Sequence, residues 1–437
     1  MRVAAQQKRR VDTGRAACGY VRRQSHHEQD EHEHREERQH AAGYTTNFTV
    51  NLVVMFTRSL ARPASPFFLF GPRGTGKSTW IREVFDDAYV VNLLPADAML
   101  RYERSPALFR AEVLARPARQ WIVVDEVQRV PRLLDEVHFL MEEKGYKRFA
   151  LSGSSARKLK RGAANLLAGR AVLRKLFPLT SKEMDFSVST DQLLRYGSMP
   201  MSVTANDDQA REAFLRAYVT TYLSEEIRAE GLVRNLGSFS RFLEVATLAA
   251  GQTTNVSGIA RDAAVSREAA RGYFDILVDT LIGHWLPAYR PRAKVKEVAL
   301  PKFYWFDAGV LHAAAGGFDQ PLPADWDGVL LEHLVLHEIQ SYLHYAGVKG
   351  SLAYWATPSG SEVDFVWWHG TRVVAIEVKH GRRYRREYKK GIDAFLAGGP
   401  ARSYIVYRGH QELDVDGTRV LPVEHFLRRL HAGEIVG

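Results

Sequence analysis

Short apolar runs and helix-periodic stretches alternate through residues 55–181 of this 437-residue chain. The runs fall at Phe67–Phe70, Tyr89–Leu94, Ile122–Val124, Phe149–Leu151 and Ala171–Phe177. Their length and composition predict buried strands. Between them, Thr79–Phe85, Ala107–Ala115 and Leu133–Met141 repeat apolar residues at helical spacing. Such alternation predicts an α/β fold, a mostly parallel sheet with helices on both faces. The period then changes. Residues 182–235 read as a mainly helical lid or connector, with Tyr218 and Tyr222 on one stripe of Ala213–Ile227 that reads as core. Within 236–315, Phe242–Ala250, Val256–Ala264 and Arg267–Thr280 predict three helices, Ser266 capping the third after a tight turn. The segment Leu286–Phe306, with Lys294 and Lys296, predicts a wing hairpin. Residues 325–437 open with a long helix, Gly328–Tyr345, followed by strands at Ser361–Trp368 and Arg372–Lys379 joined at His369-Gly370.

Residues 1–54 depart from every period. Gln24–His40 is almost entirely His, Glu, Gln, Arg and Asp, which predicts a disordered tail. Its histidines His26, His27, His32, His34 and His40 show no fixed metal-ligand spacing. A globular start reads from Met55, so the tail is expected to reflect an upstream start codon; a native peptide from before Met55 would refute that. Formal charge is +10, from 60 basic and 50 acidic residues, which suits a polyanion such as nucleic acid without requiring one. Cys18 is the only cysteine, so no intrachain disulfide forms, and a reducing cytoplasmic setting fits. No apolar run approaches the roughly twenty residues of a membrane span.

Gly71-Pro-Arg-Gly-Thr-Gly-Lys-Ser78 carries the most specific chemistry. It matches the phosphate-binding pattern G-x-x-x-x-G-K-[ST] between a strand and a helix. Backbone N–H groups of Gly71, Arg73, Gly74, Thr75, Gly76, Lys77, Ser78 and Thr79 are the candidate nucleotide cradle. Lys77 would reach the β and γ phosphates, and the Ser78 hydroxyl would hold Mg²⁺. Trp121-Ile-Val-Val-Asp-Glu126 ends an apolar strand in two acids, where open α/β sheets bind ligands. Asp125 would support Mg²⁺ through its water shell, and Glu126 would orient and polarise an attacking water. After the fourth run, Ser152 and Ser154 are γ-phosphate sensors or a serine turn capping the next helix. Arg157, Lys158, Lys160 and Arg161 follow. Arg170 is either the cation that stabilises the transition state or a solvated arginine at a helix end.

Asp364 on one predicted strand and Glu377-x-Lys379 on the next form a second constellation. Strand alternation puts Glu377 and Lys379 on one face. An Asp followed by Glu-x-Lys is the PD-(D/E)xK nuclease pattern, or else a solvated strand face. In the first case Asp364 and Glu377 would supply oxygens to a second Mg²⁺ or Mn²⁺. Lys379 would position water or stabilise phosphorane charge. Glu332, preferred over Glu338, would complete the site. The basic stretch Arg382-Arg383, Arg385-Arg386 and Lys389-Lys390 reads as a phosphate-tracking helix or a solvated one. Arg267 and Arg271 on the third helix point to a DNA major groove. Glu268, Asp275 and Asp279 there oppose it, and packing between domains is the rival reading.

Taken in order, Gly71–Lys77, Val124–Gln128, Ser152–Ser155, Leu167–Arg170, Phe177–Thr180, Glu362–Val366 and Ile376–Lys379 resemble a prokaryotic family. Its members are AAA-type ATP-binding proteins with a C-terminal DUF4143 region. The resemblance runs from about Met55 to the end. It implies a P-loop ATPase core, a winged-helix connector and a restriction-endonuclease-like α/β domain. It also implies ATP and Mg²⁺ as cofactors. Three functions stay open: an ATPase with a nuclease-like domain acting on or docking to DNA, an ATP-gated switch whose C-terminal domain binds a protein partner, and a winged-helix regulator of one DNA sequence. AAA-type ATPases often assemble as homo-oligomers in which one subunit's arginine completes the neighbouring site.

Overall fold

The computed structural model describes residues 56–154, 169–223, 236–290 and 300–436. The expected tail, the basic run at Arg157–Arg161, Leu167 and Ala168, and Lys294 and Lys296 lie outside them. The first layer runs β1 (Phe67–Phe70), α1 (Lys77–Val84), β2 (Tyr89–Asn92), α2 (Ala96–Arg104), α3 (Pro106–Leu114), β3 (Ile122–Asp125), α4 (Leu133–Glu143), β4 (Phe149–Gly153) and β5 (Val172–Lys175). The five strands are parallel in the order β2-β3-β4-β1-β5. Every residue of β1, β3 and β4 is buried, which explains their uninterrupted apolar sequence. On one face Phe67, Trp80, Phe85 and Trp121 lock α1 to the sheet, with Phe85 and Trp121 centroids 4.7 Å apart. Where one helix was expected between β2 and β3 there are two. Pro106 disfavours a helical Ser105, which takes φ −142° and ψ 79° and breaks the chain into α2 and α3.

The connector contributes α5 (Thr190–Tyr196), α6 (Pro200–Val203) and α7 (Asp208–Ala217), the last continuing into a wider π turn at Tyr218–Tyr222. Three helices follow, α8 (Leu236–Leu248), α9 (Val256–Asp262) and α10 (Arg267–Asp279). Ser266 caps α10 by accepting Ala269 N–H at 3.1 Å. β6 (Gly283–Leu286) and β7 (Lys302–Trp305) pair antiparallel, and α11 (Ala308–Ala314) completes this part.

The last part holds α12 (Trp326–Tyr345), β8 (Ser351–Ala356), β9 (Glu362–His369), β10 (Arg372–Lys379), α13 (Lys390–Leu396), β11 (Arg402–Tyr407), β12 (Leu413–Val415), β13 (Thr418–Pro422) and α14 (Val423–His431). Its mixed sheet has the order β12-β13-β11-β10-β9-β8. β8, β9 and β10 form an antiparallel meander, and α13 makes the crossover that lets β11 lie parallel to β10. One continuous core joins the connector, the three helices, α12 and one face of this sheet, from Leu179 to Val436. The connector therefore has no separate core. Among the described residues, no helix is long and apolar enough to cross a membrane.

Candidate functional site

The glycine loop leaves the buried end of β1 and closes at Gly76, whose φ of 90° only glycine adopts cheaply. α1 begins at Lys77, so the N–H groups of Lys77, Ser78 and Thr79 stand at a helix N-terminus. Thr75 is fully buried and its hydroxyl donates to Pro72 O at 2.9 Å. The Lys77 ammonium donates to Gly71 O at 2.8 Å and Pro72 O at 3.0 Å, so it lies curled inside the loop. Arg73 and Gly74 are exposed at the tip. The connector touches this tip: Tyr218 Oη donates to Arg73 O at 3.0 Å, and the Arg73 guanidinium lies 4.8 Å from the Tyr222 ring centroid.

β3 stands two strands from β1, with β4 between, and all three strands end at the same edge. Asp125 is buried there, its Oδ1 accepting from the Ser152 hydroxyl of β4 and from Glu126 N. Glu126 adopts a left-handed φ of 60°, and its Oε2 accepts from Gln128 Nε2 at 2.5 Å. Gln128 also donates to Ser154 Oγ at 3.2 Å. Ser152 thus meets Asp125, whereas Ser154 meets the group that orients Glu126. The Asp125 carboxylate and Ser78 hydroxyl are hard oxygen donors at one sheet edge, a set that fits Mg²⁺.

Arg170 is placed elsewhere. It lies two residues before β5, and β5 runs parallel to β1 with Val172 beside Phe67. It therefore sits at the entry end of the strands, away from the loop at the exit end, and its guanidinium pairs with Glu142. It does not reach the phosphate loop of its own chain.

In the last part the strand alternation holds: Glu377 Oε1 lies 2.5 Å from Lys379 Nζ. Asp364 Oδ2 accepts from Val378 N at 2.7 Å, which pins β9 to β10. Glu332 accepts from Tyr304 Oη at 3.1 Å. Burial, then the Asp364 charge, pushes the Glu332 carboxyl up to about 8. Burial and then Asp364 also hold Glu377 well above the usual carboxylate range. Burial works against the Lys379 and Lys302 ammonium charges, but the surrounding carboxylates outweigh it and raise both. Glu332, Asp364, Glu377 and Lys379 thus share one electrostatic neighbourhood. Even so, among the described residues no three acidic or histidine side chains are arranged to hold a metal ion. One oxygen of Asp364 is committed to an amide and one of Glu377 to an ammonium. A metal site on Glu332, Asp364 and Glu377 is thus not shown among the described residues. Glu338, the discarded alternative, is fully buried on α12 and bonds Ser181 and His431 instead.

The basic stretch is not one helix. Arg382, Arg383, Arg385 and Arg386 are exposed directly after β10. Lys389 is buried and pairs with Asp393 at 2.9 Å and Asp416 at 3.2 Å, which removes it from any phosphate track. On α10, Arg267 and Arg271 are exposed alongside Glu268 and Asp275, and the opposite face is packed through Ala270, Phe274 and Leu277.

Sequence reading missed Arg58, Gln128 and Lys302. Arg58 Nη1 donates to Thr75 O of the loop at 2.7 Å. Lys302, 4% exposed, pairs with Glu362 beside the C-terminal cluster. A lone lysine opening an apolar strand was the available signal for Lys302; Arg58 lies in Phe-Thr-Arg-Ser, which carries none.

Residues 64–185 match the family model of an AAA domain. Residues 188–321 match a domain of unknown function (DUF8612), and residues 327–426 another (DUF4143). The uncharacterized protein Rv2008c of Mycobacterium tuberculosis is 28% identical over 383 residues, 85% of this chain and 82% of its own length. The uncharacterized protein Mb2031c of Mycobacterium bovis matches equally. Among solved structures, the Walker-type ATPase PABY2304 of Pyrococcus abyssi aligns at a TM-score of 0.38 and 13% identity, over 57% of this chain and 90% of its own. One chain thus carries a segment similar to the AAA domain, at 64–185, and a C-terminal segment similar to the DUF4143 region, at 327–426.

Proposed function

We propose that the chain is a Mg²⁺-dependent ATPase whose C-terminal domain is nuclease-like and acts on or docks to DNA. The observation that carries the ATPase reading is the convergence of the glycine loop, Asp125 and Glu126 at one edge of the parallel sheet. Mg²⁺ there would supply neutralisation of the charge that develops on the phosphates. Ser78 and Asp125 would hold it. Lys77 would leave Gly71 O and Pro72 O for the phosphates, exchanging neutral acceptors for charged ones. Glu126, held by Gln128, would orient the water that attacks the terminal phosphorus and accept its proton. Phosphate release tests this. Wild type should turn over ATP, and Lys77→Ala should lower the rate by about 10²–10³. Equal rates would overturn the assignment.

The nuclease-like reading rests on Asp364, Glu377 and Lys379 at adjoining strands, with four exposed arginines following. Cleavage of supercoiled plasmid and single-stranded DNA, beside Glu377→Ala/Lys379→Ala, decides it. Cutting by wild type alone supports the reading; its absence with Mg²⁺, Mn²⁺ and ATP favours the second. That second reading is an ATP-gated switch whose last domain binds a protein. It is favoured by the direct seating of α12 on the ATPase core, which couples the parts whatever the C-terminal chemistry.

A further inference from the structure

The segment leaving β5 runs beside the phosphate loop so closely that a Cβ on Gly71 would meet Leu176 O at 2.3 Å. α12, from the far end of the sequence, engages this segment at alternate residues. His344 Nε2 accepts Lys175 N–H at 2.8 Å, and Tyr345 Oη accepts Phe177 N–H at 2.9 Å. His337 Nε2 donates to Leu179 O at 3.1 Å. Glu338 Oε1 accepts both Ser181 N–H at 2.7 Å and its hydroxyl at 2.6 Å. His431 of α14 holds the other Glu338 oxygen at 2.6 Å. A helix has thus taken the place of a further strand, and its side chains satisfy main-chain groups that would otherwise be orphaned.

Arg58 joins this seam to the loop. One nitrogen of its fork donates to Thr75 O at 2.7 Å. The other donates to Phe177 O at 2.6 Å and to Tyr345 Oη at 3.3 Å. Its Nε lies 3.2 Å from Glu183 Oε1, and that ion pair is nearly dry, with side chains 5% and 0% exposed. Thr75 O belongs to the peptide whose N–H is on Gly76, inside the cradle. Turning that peptide toward or away from a phosphate must strain or release the Arg58 contact, and Tyr345 is held by the other nitrogen of the same guanidinium. Arg58 lies outside the matched AAA residues, 64–185, and Tyr345 lies within the DUF4143 match, 327–426.

We propose that Arg58 is a positioning residue that sets the Thr75–Gly76 peptide and relays nucleotide occupancy to α12 through Tyr345; this rests on reading the loop as the ATP site. The test is hydrogen exchange of the full chain with and without mant-ATP and Mg²⁺, alongside mant-ATP titration. In wild type, nucleotide should change exchange across α12. Tyr345→Phe keeps the ring but loses the acceptor. It should still bind mant-ATP, with an affinity shift of no more than about threefold, and lose the α12 response. Arg58→Lys keeps the charge but not the fork, and should weaken binding by roughly 5–150-fold, the usual range of coupling between sites. Thermal melting of each variant separates misfolding from uncoupling. Binding without any α12 response in wild type, or a full response in Tyr345→Phe, overturns the relay while leaving the ATP reading intact. Absence of mant-ATP binding in wild type removes the ATP reading and the relay together.

Discussion

Glu126 and Glu332 are two carboxylates that their surroundings set apart. Glu126 is partly buried, holds a left-handed backbone and faces an amide donor, Gln128. Glu126→Gln should keep nucleotide affinity and lower turnover by about 10²-fold or more, measured as KM against kcat, because it removes the proton acceptor and leaves the cradle whole. Glu332 binds a proton far more readily folded than unfolded, since burial and Asp364 raise it to about 8 from an ordinary 4.5. Its contribution to stability is therefore complete below about pH 4.5 and is lost as pH rises toward 8. Thermal midpoints from pH 5 to 9 should fall in wild type and fall less steeply in Glu332→Gln. The loop residues and the two Asp-Glu acids were legible because their chemistry is local in sequence. Arg58 was not, since its partners Thr75, Phe177 and Tyr345 are brought together only by the fold.

Elements were read well where one periodicity sufficed. The strands β1, β3, β9 and β10 and the helices α10 and α12 lie where the apolar pattern puts them. The pattern did not show what a helix packs against, so α12 read as an amphipathic helix beside a nuclease-like sheet and not as a seat for the segment after β5. Nor did it show that α7 widens into a π turn at Tyr218, beneath the phosphate loop. Close approach of elements gives a stability test. A Cβ on Gly391 of α13 would lie 1.9 Å from Glu362 O of β9. Gly391→Ala should push α13 off the sheet and cost about 1–3 kcal/mol, read by chemical denaturation.

At the scale of the whole molecule, the formal charge of +10 includes a run of arginines where β10 ends. Arg382, Arg383, Arg385 and Arg386 stand exposed together there. If they meet DNA phosphates, replacing all four with alanine should make the slope of log affinity against log salt shallower by up to about 3.6, at roughly 0.9 per contact on duplex. Fluorescence anisotropy at stepped salt reads this, and an unchanged slope removes the arginines from the interface.

The bond between Arg58 and Tyr345 closes a loop of 287 residues. A ribosome adding about 5–20 residues per second needs roughly 15–60 s to travel that distance. In the later part of that interval the AAA segment, which ends at residue 185, has been made while the stretch after β5 is still unseated. The amides of Lys175, Phe177 and Ser181 find their side-chain acceptors only once α12 emerges. Messages truncated before α12 should therefore yield chains that chaperones retain and proteases clear, so that the first domain becomes durable only once the last has been translated.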